Sequence, residues 1–295
     1  MSFRRPRSAR PAALALLTAL AVASFQARGQ STADATAPAS PDEPVPLWEV
    51  GVVGIGAYSP AYPGSDQDFL RGRVLPYAIY RGPLLRLDGS GVGLRIFDTP
   101  RLEWEASAAG SFGNPSSRVR AREGMASIGT LVEVGPALKI NLGDLLGQRD
   151  RRATRLELPV RAVFDTDAGF GHRGWTFEPS LSHTAWRSGT ASAQVSASLL
   201  FGNRSLNRLY YGVGADEVAP GRPAYDARGG LVATRLGLSL RHRITPTLRL
   251  LWFAQLETVR GAANEASPLV RSRQDLGAGL SVTWGFWHSD RAGLQ

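Results

Sequence analysis

Apolar side chains in this chain recur at every second position, over segments of roughly ten residues separated by turn-forming residues. Successive side chains of a strand point to opposite faces, so a period of two predicts strands with one apolar and one polar face. In 274–286, Leu276, Ala278, Leu280, Val282, Trp284 and Phe286 alternate with Asp275, Gly277, Gly279, Ser281, Thr283 and Gly285. In 246–258, Leu248, Leu250, Trp252, Ala254 and Leu256 alternate with Arg249, Leu251, Phe253, Gln255 and Glu257, and in 154–165, Leu156, Leu158, Val160, Ala162 and Phe164 alternate with Arg155, Glu157, Pro159 and Arg161. Segments 190–201 and 101–112 repeat the pattern.

Twelve strands follow from this pattern: 47–57, 71–80, 84–97 with a bulge at Gly89-Ser90-Gly91, 101–112, 126–135, 137–144, 154–165, 173–186, 190–201, 228–243, 246–258 and 274–286. A soluble β-sandwich shows the same alternation. Three features favour a transmembrane antiparallel up-and-down β-barrel. Several strands exceed the usual five or six residues. Aromatic residues (Tyr77, Tyr80, Trp175, Trp186, Trp284, Phe286, Trp287) stand near strand ends, as in an interfacial girdle. The N-terminus reads as an export signal. After it, no run of 18 apolar residues offers a membrane-spanning helix.

An even strand count places both termini on the periplasmic side. From the seventh strand onward the connections obey the barrel rule of long outer loops and short inner turns: 166–172, 202–227 and 259–273 fall outside, 187–189 and 244–245 inside. The first half obeys it poorly, because 113–125 falls inside and is long while 98–100 falls outside and is short. Ten strands is the alternative count.

The N-terminal export signal has Arg4, Arg5, Arg7 and Arg10 before an apolar stretch, Ala13 to Ala23, that is too short to span a bilayer. Residues 1–23 are expected to be a signal peptide, cut at Ala21-Val22-Ala23, with a second candidate cut after Ala27. Arg4-Arg5 suggests a twin-arginine signal, but the residues after it fit ordinary secretion better. Residues 24–46, rich in Ala, Ser, Thr and Pro, are expected to be a disordered periplasmic linker. The barrel is expected over 47–287, followed by a C-terminal tail, 288–295.

The formal net charge of +9 falls to +5 once the four leader arginines are removed, leaving 30 Lys and Arg against 25 Asp and Glu. Lys139 is the sole lysine. The basic residues are spread between apolar ones rather than clustered, which argues against nucleic-acid binding. Without cysteine, a disulfide scaffold, a thiolate metal site and a cysteine nucleophile are excluded. Arg155, Glu157, Arg161, Arg235, Arg241, Arg249 and Glu257 fall on the inward parity and form either a ladder lining a narrow passage or a plug of ion pairs.

His172, expected in an outer loop beside Asp165 and Asp167, is the most enzyme-like grouping, but no nucleophile elbow accompanies it. His183 and His242 lie on apolar-facing parity, and His288 lies in the tail. The Gly-x-Gly repeats at 54–56, 91–93 and 277–279 precede no phosphate-binding helix. No catalytic, cofactor-binding or metal residue is assigned, and no cofactor is expected.

Four motifs stand in order: Pro60-Ala61-Tyr62-Pro63-Gly64-Ser65, Tyr210-Tyr211-Gly212-Val213, Pro223-Ala224-Tyr225-Asp226 and Ser267-Pro268-Leu269-Val270. As residues they read as loops fixed by Pro and Gly, with Tyr210, Tyr211 and Tyr225 available to pack over a barrel mouth. Together they resemble the MipA/OmpV family of outer-membrane proteins, from about Trp48 to Phe286. The resemblance implies a barrel without a known active site. The family's name-giving member is described as a scaffold linking a murein-cleaving lytic transglycosylase to a murein synthase. Other members are associated with adhesion and osmotic response. The chain departs from a common barrel pattern in continuing for eight residues beyond Trp287. The expectation is therefore a structural or scaffolding barrel in the outer membrane, in contact with bilayer lipid and lipopolysaccharide and with periplasmic murein-processing enzymes. A narrow small-solute channel is the alternative, and an outer-membrane hydrolase the third reading.

Overall fold

The computed structural model describes residues 46–81, 85–88, 91–94, 99 and 101–290; the expected leader, nearly all of the linker and positions 291–295 lie outside the described residues. The strands are β1 (Trp48–Pro60), β2 (Asp68–Arg81), β3 (Leu85–Asp88), β4 (Gly91–Leu94), β5 (Leu102–Ser111), β6 (Leu131–Asn141), β7 (Thr154–Asp165), β8 (Gly171–Phe177), β9 (Ser180–Arg187), β10 (Ala191–Gly202), β11 (Gly230–Arg243), β12 (Leu248–Thr258) and β13 (Gln274–His288). One helix, α1 (Arg204–Tyr211), sits between β10 and β11.

All strands belong to one antiparallel sheet, in which β1 pairs with β13 and so joins the first strand to the last. The two ends of the strand order, β4 and β5, approach within 8 Å between Cα atoms, so the sheet curls back on itself. β8 and β9 are two halves of one stave: β7 and β10 each pair with both, and the break falls at Glu178-Pro179, where proline offers no N–H to a ladder. The wall is thus a barrel of twelve staves.

The expected count of twelve holds, but three of its strands are drawn differently. Within the expected strand 84–97 the described residues form the short hairpin β3–β4; Gly89 and Ser90 of the expected bulge lie outside the described residues. The expected strands 126–135 and 137–144 are the single strand β6, which runs through Pro136. Pro136 is tolerated because the β6–β7 ladder skips from Val134↔Ala162 to Ala137↔Pro159. At that irregularity β7 presses so close that a Cβ on Gly135 would stand 2.0 Å from the Val160 carbonyl oxygen.

Redrawing these strands moves the connections. Residues 112–130 now leave the same end as 61–67, 166–170, 203–229 and 259–273, so the longest segments gather at one end, called here the loop end. β5 instead begins at the opposite end, with the short connections and both strand termini. Arg101 confirms it, its carbonyl accepting from the Asn141 amide.

Outward-facing positions carry the apolar band. Leu236, Leu238 and Leu240 on β11 and Leu276, Leu280 and Val282 on β13 are exposed. Aromatics border the band: Trp48, Trp186, Trp284, Phe286 and Trp287 near the terminal end, Tyr58, Trp175 and Phe177 toward the loop end. Tyr77 is an exception to the expected girdle, since its hydroxyl points inward and donates to Glu49 at 2.5 Å. If the band faces lipid, Leu238→Arg near the middle of β11 is expected to destabilise the folded barrel by about 2–4 kcal/mol, measured by urea titration in lipid vesicles.

Candidate functional site

The barrel interior is polar and charged. Gln255, Glu257 and Arg249 of β12 and Arg235 of β11 point inward, where the alternation placed them. Arg235 donates from Nε to Glu257 at 2.7 Å and from Nη1 to Glu178 at 2.6 Å. Arg161 lies 3.5 Å from the other oxygen of Glu178 and 4.0 Å from Glu133. Arg161 also donates to Ser107, and Thr176 donates to Glu133. These contacts form a belt from β5 to β12 around the inner wall, and its charged side chains are almost entirely buried. Glu178 occupies the break between β8 and β9, so the interrupted stave turns a carboxylate toward two arginines.

A second cluster lies nearer the terminal end. Arg249 donates to both oxygens of Glu49, at 2.7 and 3.1 Å, and Tyr77 donates to the same carboxylate. Glu49 on β1 must reach across β13 to meet Arg249 on β12. Gly285 leaves the space: a Cβ there would lie 2.4 Å from the Glu49 oxygen.

The loop end is capped. The buried apolar cluster of the protein lies chiefly in the loops rather than in the lumen, uniting Tyr62, Val119, Met125, Leu206, Tyr210, Tyr211, Val259 and Leu269 with the loop-end residues Leu131, Val163 and Leu200 of the wall. Hydrogen bonds stitch the loops together. Tyr62 donates to the Leu269 carbonyl at 2.7 Å, Tyr211 to the Pro63 carbonyl at 3.0 Å, and Ser267 to the Tyr211 carbonyl at 2.8 Å. Two buried arginines serve backbone carbonyls: Arg122 bonds Tyr210 and Ala126, and Arg222 bonds Ala121, Glu123 and Glu217. Arg122 also lies over the Tyr62 ring, 5.8 Å from its centroid. Burial pushes the Tyr62 hydroxyl up to about 12, so it stays protonated and donating at neutral pH. Gly64 turns with φ +88, and its carbonyl accepts from the amides of Arg271 and Ser272.

The four motifs converge here. Pro60–Ser65, Tyr210–Val213, Pro223–Asp226 and Ser267–Val270 all belong to the cap, and Val213 pairs with Tyr225 across it. Helix α1 is the element the alternation did not predict. Its N-cap, Asn203, accepts from the amides of Leu206 and Trp175 and so ties the helix to β8.

The histidine grouping is taken apart. His172 is exposed and its ring lies between Phe164 and Trp175, at 5.6 and 5.7 Å between centroids. Asp165 instead pairs with Arg173 at 2.9 Å, and Asp167 accepts from the Thr130 amide. A bulge between Val163 and Phe164 and the positive φ of Gly174 put His172 and Trp175 on one face. The His183 ring bonds the Thr154 hydroxyl at 2.8 Å, His242 lies in the β11 wall opposite Leu250, and His288 ends β13. Of the remaining inward charges, Arg155 donates to Asn141 at 3.2 Å, Glu157 lies opposite Lys139 in the ladder, and Arg241 opposite Leu251.

A family model described as "MltA-interacting protein MipA" matches residues 52–286. No curated protein matches the chain. Among solved structures, the chain is similar to a bacterial polysaccharide outer membrane secretin, at 10% identity and a TM-score of 0.39, over 81% of this chain and 99% of that one. It is similar also to the COG4313 outer membrane channel from Pseudomonas putida F1, at 13% identity and a TM-score of 0.35, over 84% of this chain and 99% of that one.

Removing one partner from a buried charge cluster costs about 3–5 kcal/mol. Glu178→Gln, which strips Arg235 and Arg161 of a shared anion, is expected to lower barrel stability by that order. Urea titration checks it, and the double variant Glu178→Gln/Arg161→Met is expected to recover part of the loss.

Proposed function

The chain belongs to the MltA-interacting protein MipA family, and on that premise we propose that it serves as a scaffold, a barrel held in the outer membrane that presents its terminal end to a periplasmic murein-cleaving enzyme. The observation that carries this reading is the capped loop end. A packed apolar cluster covers it, and the inner wall below is lined by paired, buried charges. A protein built to pass solute keeps its path open; this one spends its inward side chains on one another. Long loops on one end and short turns on the other support an orientation with the loop end outside and the termini in the periplasm. The expected leader, residues 1–23, supplies export, and the expected linker, residues 24–46, spaces the barrel from the cell wall.

The terminal end offers a surface suited to a partner. The turn 142–153 exposes Leu145 and Leu146, and Arg151 and Arg152 stand beside them, about half exposed. Two adjacent exposed leucines, with the Arg151–Asp144 and Arg152–Glu103 pairs at their side, suit a protein partner with an apolar anchor.

Two outcomes are expected. Purified protein in planar bilayers shows no large, steady conductance; a stable open pore would assign the chain to a small-solute channel instead. A purified murein lytic transglycosylase binds the barrel in detergent, and binding drops at least tenfold with Leu145→Asp/Leu146→Asp, while deletion within the outer loop 203–229 leaves it unchanged. Loss of binding on that deletion would reverse the orientation.

A further inference from the structure

Among the described residues, the barrel wall is incomplete on one side. β3 and β4 have four residues each, about 13 Å of strand at 3.3 Å per residue, whereas β2 has fourteen, about 46 Å. Among the described residues, β2 meets β3 through Tyr80↔Leu87 and Arg81↔Arg86, at its terminal end. Toward the loop end, among the described residues, no strand lies against this edge of β2, and the next full-height stave is β5. A cavity of about 680 Å³ fills the interval, bounded by β2, by segments 112–115 and 127–129, and by the β7–β8 loop. Consecutive residues Phe69 to Arg73 all line it. Side chains along a strand alternate between faces, so a lining of consecutive residues sets the cavity along the edge of β2 that no described strand covers.

Its depth follows from the register. Leu70 pairs with Tyr58, one of the aromatics bordering the apolar band at the loop end. The cavity therefore lies at headgroup level. Its charge balance is cationic: Arg71, Arg73, Arg118 and Arg173 against Asp165 and Asp167. Both carboxylates are already engaged, Asp165 by Arg173 and Asp167 by the Thr130 amide. Arg73 and Arg118 are exposed. On the outer face of β2, Leu70 and Val74 are 79% and 73% exposed and lead from the cavity toward the middle of the band.

A ligand that enters from the bilayer, carries an anionic head and leaves its chains in the hydrocarbon matches all three features. We propose that this cavity docks the phosphorylated diglucosamine headgroup of lipid A, the glycolipid of the outer leaflet. Arg73 and Arg118 contact a phosphate, and an acyl chain lies along Leu70 and Val74. A phosphate accepts charge-assisted hydrogen bonds from guanidinium groups, and the cavity's volume is that of an ordinary ligand site. The proposal shares with the scaffold reading only the orientation that puts the loop end outside.

Native mass spectrometry of the full chain in detergent tests it, with bis-phosphorylated lipid A, dephosphorylated lipid A and phosphatidylglycerol as probes. The wild type is expected to retain bis-phosphorylated lipid A at least tenfold better than either other probe. Arg73→Gln/Arg118→Gln is expected to abolish that preference, with barrel folding confirmed by heat-dependent gel migration. Should that pair fail to fold, Leu70→Gln is expected to weaken lipid A retention severalfold while leaving the barrel intact. Equal retention of phosphatidylglycerol, or retention of lipid A unchanged in the folded double variant or in Leu70→Gln, would overturn the proposal. None of these readouts involves a murein enzyme, so its failure and the failure of the scaffold reading are separable.

Discussion

In the hydrocarbon of a bilayer an unpaired N–H or C=O has no water to bond, at a cost of several kcal/mol for each group. The wall meets that constraint by antiparallel pairing carried from the last strand to the first, where β13 lies on β1 over ten register pairs. Closure then creates a second demand, because the side chains turned inward must fill a lumen that lipid does not reach. Here the filling is electrostatic. Glu257, Arg235, Glu178 and Arg161 run along the inner wall, and Glu49 meets Arg249 across the glycine at 285. Such pairs offset the desolvation of their charges more than they add net stability. What they supply is occupancy of the interior and a fixed arrangement of the staves that carry them.

The arrangement of apolar residues is correspondingly inverted. The outer face of the wall is apolar, and the buried apolar cluster sits mainly among the loops. Tyr62, Tyr210, Tyr211, Leu206 and Leu269 form there what a soluble domain places between its layers. The interactions that close the mouth are therefore those of an ordinary hydrophobic core, set on top of a barrel.

The alternation made the second half of the wall legible, since β10 to β13 are long and their two faces differ sharply. It failed where backbone irregularity replaced periodicity. The apolar pattern continued through 84–97 without marking a reversal, so a hairpin looked like one strand. Pro136 looked like a break, but the β6–β7 ladder bends around it. Parity placed Arg235, Arg249 and Glu257 inside correctly, yet which charges meet depends on the stagger between staves and on Gly285, neither of which periodicity records. His172 seemed close to Asp165 and Asp167 in sequence; one bulge sent it to the other face. The cap motifs were visible as turns, and only their convergence from four distant segments shows them to be a core. Helix α1, eight residues in a long loop, carried too short a pattern to stand out.

That convergence also sets a timetable for assembly. Tyr62 lies in the first connection and Leu269 in the last, 207 positions apart, and their hydrogen bond joins the two ends of the chain across the mouth. Tyr211, from the middle, completes the knot with Pro63 and Ser267. No partial barrel holds all three segments. The mouth therefore stays unsealed until the final hairpin has crossed the membrane, and sealing it reports that the chain has arrived whole.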